Sequence, residues 1–295
     1  MSAYLFVHFT SEKTDKESIW LSVSRDGLHW QDLGGEEPFL SSHIGTKGVR
    51  DPFVLYDEKL QKYFIIATDL NTNDGRGWYD FSHNGSKSIL VWESDDLVNW
   101  SKERLVDLGV DGAGCAWAPE AVYCRERGEW MVFFASCVDD KQRIYATFTS
   151  DFKTFSETFE YINNEKDIID TSIVFSGGYY YRFSKDEVGK IITIQRAKEL
   201  LSADFETLHC DALDSYYGVE GPEIFYIDGI GKWCLIVDRF HGNHGYIPLL
   251  ADDLASADFR ILNDDEYDFG KRKKRHGGVI KITDEEYDRL IAEVH

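Results

Sequence analysis

Apolar and β-branched residues in this chain come in short runs bounded by turn residues, the pattern of strands rather than of amphipathic helices. One set comprises Tyr63–Ala67, Trp130–Phe134, Tyr179–Phe183 and Trp233–Val237, and a second follows it with Ile89–Trp92, Arg143–Phe148, Ile191–Ile194 and Tyr246–Leu250. Between successive pairs a short phrase recurs, in which an Asp precedes an aromatic: Asp26 and Trp30, Asp96 and Trp100, Asp151 and Phe155, Asp204 and Phe205, Asp258 and Phe259. The aromatics are 70, 55, 50 and 54 residues apart, which is the size of a propeller blade. Four repeats are complete, and the fifth is split between Tyr4–Phe9 with Ser18–Val23 at one end and Arg275–Ile280 at the other. Pairing of the two ends would close a ring and leave no free sheet edge. The expectation is an all-β protein, a single five-bladed β-propeller domain over residues 1–295, closed by N- and C-terminal strands in the last blade. Two β-sandwiches would show neither the period nor the split repeat.

Helical signal is confined to the tail. Thr283 and Glu286 form a capping box, and Tyr287, Leu290, Ile291 and Val294 make one apolar stripe, so a short C-terminal helix is expected outside the closing blade. Composition adds a sign: 32 Lys+Arg against 53 Asp+Glu give a net charge of −21, which opposes nucleic acid or an anionic membrane as partner. No run reaches the length of a membrane span and no export signal is evident, so a soluble cytoplasmic protein is expected. The five cysteines (115, 124, 137, 210 and 234) lie apart from one another in apolar surroundings and read as buried small side chains.

The chemistry gathers at the heads of the innermost strands, which read Arg50-Asp51-Pro52, Trp117-Ala118-Pro119-Glu120, Ile169-Asp170-Thr171-Ser172, Val219-Glu220-Gly221-Pro222 and Arg275-His276-Gly277. Four of the five carry a carboxylate and the fifth a histidine. One Asp before a Pro or Thr is an ordinary turn cap. Four carboxylates recurring at blade starts point instead to a shared pocket, in which mutual repulsion drives their pKa values apart. Glu223, three residues beyond Glu220, is expected on the opposite side of the strand in a structural role.

The ordered set Arg-Asp-Pro, Trp-Ala-Pro-Glu, Ile-Asp-Thr-Ser, Val-Glu-Gly-Pro and Arg-His-Gly resembles glycoside hydrolase family 43, the five-bladed propeller enzymes that remove arabinofuranosyl or xylosyl units. The resemblance covers nearly the whole chain. It implies Asp51 as general base, Glu220 as general acid and Asp170 as the group that holds up the acid's pKa, in an inverting scheme with water between base and sugar. It further implies that Glu120 positions neighbours or contacts sugar and that His276 helps hold a metal, usually calcium, in the central channel.

Trp117 is a stacking candidate and Arg239 a substrate contact, while His241 and His244 are left to their loop. The long connection from Asp69 to Ser86, with Trp78, Tyr79 and Phe81, is expected at the pocket rim or in an oligomer contact. The basic run Lys271–Arg275 is expected as a solvated loop facing acidic neighbours, with no function of its own. The resemblance implies an inverting exo-glycosidase releasing terminal α-L-arabinofuranosyl groups, with β-D-xylosyl groups as a second substrate, from arabinoxylan- or xylan-type oligosaccharides, and no organic cofactor is expected. A family 43 galactosidase and a non-catalytic sugar-binding propeller are the alternatives. A β-fructosidase-type propeller is disfavoured, because its longer Asn-Asp-Pro-Asn-Gly and Glu-Cys phrases are absent.

Overall fold

The computed structural model describes residues 2–11 and 17–294. Strands β1 (Ala3–Phe9), β2 (Trp20–Ser24) and β3 (Trp30–Asp32) come first. Blade I follows as β4 (Val49–Asp57), β5 (Lys62–Asp69), β6 (Ser88–Ser94) and β7 (Arg104–Asp107), with helix α1 (Trp78–His83) between β5 and β6. Blade II is β8 (Trp117–Cys124), β9 (Glu129–Val138), β10 (Lys141–Thr149) and β11 (Phe159–Ile162). Blade III is β12 (Ile168–Ser176), β13 (Tyr179–Asp186), β14 (Ile191–Ala197) and β15 (Glu206–Leu208). After the short α2 (Asp211–Asp214), blade IV is β16 (Glu220–Ile227), β17 (Lys232–Arg239), β18 (Gly245–Ala251) and β19 (Arg260–Ile261). Strand β20 (Arg275–Ile282) and helix α3 (Asp284–Glu293) end the chain.

Each blade is a four-stranded antiparallel sheet in sequence order, except blade V, whose order is β20-β1-β2-β3. There the C-terminal strand takes the inner place and pairs with β1, Leu5 opposite Ile280. The expected five-bladed closure is therefore present. The strands read as continuous apolar runs because both faces of every sheet are covered by neighbours. Five apolar clusters result, one at each junction: Val23 with Ile65, Ile66 with Phe134, Phe133 with Tyr180, Phe183 with Leu235, and Phe6 with Ile236. All five cysteines are buried and free.

The recurring Asp phrase is the turn between the third and fourth strands. Asp26 Oδ1 accepts the Leu28 and His29 amides, Asp96 those of Val98 and Asn99, and Asp151 those of Lys153 and Thr154, all at 2.7–3.0 Å. Each Asp thus satisfies amides the ladder leaves over. In two of these turns a buried apolar residue takes positive φ, Leu97 at 68° and Phe152 at 53°. Phe152 stacks on Phe64 of the preceding blade at 4.3 Å, so the turn also plugs a blade junction.

The tail behaves as expected: Thr283 and Glu286 complete the capping box of α3, and Leu290 and Val294 join the cluster between blades V and I. Tyr63 of β5 donates its hydroxyl to Glu286, fastening helix to blade. The basic run meets an acidic neighbour as expected and Lys271 and Lys273 are exposed, but its end is not solvated. Lys274 is buried in an ion pair with Asp32, while Arg272 lies 4.2 Å over the Trp20 ring and donates to the carbonyls of Leu33 and Gly35. It is a latch between blade V and the strand that closes it, because a flat guanidinium can stack and bond in its plane at once.

Candidate active site

Every inner strand carries one more residue than its partner at the pocket end. Register skips from Arg50 to Phe53, from Trp117 to Glu120, from Ile169 to Thr171 and from Glu220 to Glu223, and β20 skips from Gly277 to Arg275. These are β-bulges, which re-aim side chains by breaking the alternation of a strand. In four of them the extra residue has positive φ: Asp51 48°, Ala118 46°, Asp170 46° and Gly221 52°. In blade V the extra residue is His276.

Three layers follow. The residues before the bulge, Arg50, Trp117, Ile169, Glu220 and Arg275, ring the wall of a pocket of about 630 Å³. The bulge residues Asp51, Asp170 and His276 make its floor. Beneath lie Glu120, Ser172 and Glu223, buried and closing the axis. The carboxylates expected at one equivalent blade position therefore occupy three different depths.

On the floor, His276 Nδ1 stands 3.6 Å from Asp51 Oδ1 and 3.9 Å from Asp170 Oδ1, and its Nε2 is 4.0 Å from Glu120 Oε1. Burial opposes the ring's charge, yet Asp170, Glu120 and Asp51 outweigh it and hold the imidazolium up to about 10. Burial raises Asp170 to about 6 against the pull of His276 and Lys185, and raises Glu120 to about 7 against His276. Gly221 leaves room for the ring, since a Cβ there would stand 2.7 Å from His276 Cγ. Its amide donates to Asp170 Oδ2 at 3.1 Å. Thr68 fixes Asp51, donating to Oδ2 at 2.9 Å while accepting the Ala118 amide at 2.7 Å.

On the wall, Glu220 is bracketed by cations: Lys185 Nζ lies 2.8 Å from Oε2 and Arg275 Nη2 3.0 Å from Oε1. Burial alone would lift this carboxyl, but Lys185 and Arg275 hold it below the usual carboxylate range. The expected upward push from Asp170 is thus overridden by two ion pairs. Lys185 also reaches Glu187 at 2.8 Å and lies 4.4 Å over Phe240. Arg50 is paired with buried Glu17 at 3.1 Å, its guanidinium 4.5 Å from the Phe9 ring and 5.5 Å from Trp78. Trp78 and Trp117 meet edge to face at 6.2 Å on the pocket wall.

Of the residues singled out in sequence, Asp51, Asp170, Glu220, Trp117, Trp78 and His276 line one pocket. Glu120 does not; it is buried below His276, where it cannot touch a sugar in the pocket. Arg239 also lies elsewhere, donating to the carbonyls of Gly245, His244 and Tyr246 and bracing the β17–β18 turn. Glu223 does not face away from the axis. The bulge turns it inward, where its carboxylate accepts the Val279 amide at 2.6 Å and the Ser172 hydroxyl at 3.3 Å. Among the described residues no group of three or more His, Cys, Asp or Glu side chains is set to hold a metal.

Sequence reasoning passed over Arg50 and Arg275, which aligning the five starts on their bulges would have exposed. Lys185, Glu187 and Phe240 carried no such signal, for they sit on second strands and loops.

A family model for a probable glycosyl hydrolase domain related to family 43 matches residues 1–288. An α-L-arabinofuranosidase of Bifidobacterium longum subsp. longum is 29% identical over 239 residues, 70% of this chain; the chain spans 22% of that relative's length. Among solved structures, a family 43 β-1,3-galactosidase with galactodeoxynojirimycin superposes with a TM-score of 0.65 at 13% identity, covering 90% of this chain and 92% of that one. An endo-1,4-β-xylanase from Bacteroides thetaiotaomicron gives 0.61 at 14% identity over 88% and 90%. At such identities these two structures show the fold alone.

Proposed function

The chain belongs to the glycosyl hydrolase domains related to family 43, and on that premise we propose that it is an inverting exo-glycosidase acting on terminal α-L-arabinofuranosyl groups of plant-cell-wall oligosaccharides. β-D-Xylosyl groups, which can present hydroxyls in similar positions, are the second substrate. The observation that carries the reading is the difference in depth between Asp51 and Glu220. Asp51 sits within its bulge and Glu220 just before its own, one residue nearer the pocket end, on inner strands separated by that of blade V. A terminal sugar entering a blind pocket must point its leaving group at the mouth. Water activated by Asp51 then attacks the anomeric carbon from below, while Glu220 gives its proton to the departing oxygen above. The filled axis beneath the floor favours removal of an end group over cutting within a chain.

Asp170 and His276 complete the floor, where the Asp51 and Asp170 carboxylates face the positive charge that develops on the sugar ring and His276 holds those two carboxylates in place. Because Lys185 and Arg275 keep Glu220 ionised at rest, its proton is taken up as the sugar fills the pocket and displaces water, and activity should favour mildly acidic pH. The arabinofuranosidase relative supports the choice of sugar. The test is turnover of 4-nitrophenyl α-L-arabinofuranoside and β-D-xyloside, with the anomer of the product read by NMR. Asp51→Asn should lower kcat by roughly 10³-fold, and Glu220→Gln by roughly 10²-fold on this activated leaving group. Retention of configuration, or full activity in Asp51→Asn, would refute the scheme.

A further inference from the structure

The long connection of blade I does more than rim the pocket. It leaves β5 at Leu70, folds into α1 and leans over blade II, where the corresponding loop is only the Asp139-Asp140 turn. Phe81 is 2% exposed and anchors α1 from below, and the Gly85 amide bonds the Gly114 carbonyl at 2.7 Å. On the upper side two large aromatics remain open to solvent, Trp78 at 51% and Tyr79 at 68%. Consecutive helical side chains point about 100° apart, so with Trp78 on the pocket wall Tyr79 faces the next sector outward.

Tyr79 is exposed but held. Its ring stacks on His83, one turn along the helix, with centroids 4.0 Å apart and planes 17° from parallel. His83 is itself pinned: Nε2 lies 3.0 Å from Asp140 Oδ1 and 3.4 Å from Cys137 Sγ, and Nδ1 lies 2.7 Å from Ser82 Oγ and 2.9 Å from the Tyr79 carbonyl. One face of the tyrosine is therefore covered and the other presented flat, with little freedom left to lose on binding. Trp117 and Trp78 meet on the pocket wall, and Tyr79, the next residue of α1, lies outside the pocket lining on the side of blade II. The pocket side toward blades III and IV differs, since Lys185, Glu187 and Lys190 line it with charge. The aromatic ring on that side, Phe240, has Lys185 Nζ 4.4 Å over its face.

We propose that Tyr79 is a stacking platform for the leaving-group chain, so that a neutral oligosaccharide cut in the pocket runs out over α1 and blade II with a sugar ring beyond the scissile bond lying on the tyrosine. This rests on the glycosidase reading and extends it to the sugars that are not cleaved. A flat, preorganised ring contributes through its area and its π face, and not through its hydroxyl.

The test compares KM for a 4-nitrophenyl glycoside, which ends at the pocket mouth, with KM for an arabinoxylo-oligosaccharide having a backbone of four or more xylosyl units. In Tyr79→Ala the ratio of oligosaccharide KM to aryl-glycoside KM should rise about tenfold, from the loss of one stacked contact. Tyr79→Phe should restore the wild-type ratio, and His83→Ala, which frees the ring, should raise it about threefold by the same reasoning. An unchanged ratio in Tyr79→Ala would overturn the platform while leaving the glycosidase reading intact. A Tyr79→Phe variant as impaired as Tyr79→Ala would also overturn it, by making the hydroxyl the contact. Should the wild type hydrolyse no glycoside, the glycosidase reading fails; calorimetric Kd values for the same oligosaccharide with and without Tyr79 then judge the platform, which falls if they agree.

Discussion

The two ends of the propeller use the same five-fold frame in opposite ways. At the end away from the pocket, the turns between third and fourth strands in blades V, I and II repeat one device, an Asp oxygen capping two backbone amides, so those three blades are nearly interchangeable there. At the pocket end the bulge repeats in all five blades while its occupant changes: Asp51, Ala118, Asp170, Gly221 and His276. Repetition of backbone with variation of side chain lets one scaffold place unlike groups around a common axis. The first end supplies stability and the second chemistry, because amides must be satisfied at every turn whereas a reaction needs different groups in each place.

That division can be attacked from the pocket end first. Gly221→Ala puts a Cβ where the His276 ring now lies, on a backbone with φ of 52°. We expect at least tenfold loss of kcat/KM together with about 1–3 kcal/mol of stability from strain and ring displacement. Near-normal turnover in a folded variant would show that the floor imidazolium is dispensable.

Lys185→Met is a smaller intervention with a definite sign. Removing an ammonium 2.8 Å from Glu220 raises that carboxyl's pKa, so its protonated form persists to higher pH. The alkaline limb of kcat/KM should move upward by about one pH unit. A downward shift or none, in pH profiles on one aryl glycoside, would separate Lys185 from the acid.

The least effect on turnover is expected at the other end. Asp151→Ala frees the amides of Lys153 and Thr154 and should cost about 1 kcal/mol, a fall in Tm of a few degrees, with kcat within about twofold of wild type. A large kcat loss there would erase the contrast between the two ends.

The depth order was not legible in the chain for a specific reason. Strand periodicity puts Glu220 and Glu223 on opposite faces, and one extra residue per strand reverses that parity. The Gly-Pro that follows Glu220 was visible, but what it does to the register appears only once β17 lies beside β16. Arg239 shows the same limit: a charged residue near the pocket end of its blade invites a substrate role, and its actual partners are three carbonyls of its own hairpin. Glu120 reads like the other carboxylates until the axis is assembled and leaves it underneath.

Local patterning did determine the strand content, the blade period, the split repeat that closes the ring and the capped terminal helix, because each depends on residues near one another in sequence or on burial that every blade shares. It also marked Asp51, Asp170, Glu220 and His276 as a set. The tertiary structure alone decided which of them became floor and which wall, that Lys185 and Arg275 hold Glu220 as an ion, and that α1 carries Tyr79 over the neighbouring blade. Those outcomes depend on charges and surfaces brought together from blades tens of residues apart, where Coulomb interaction and packing act through space and leave no periodic trace along the chain.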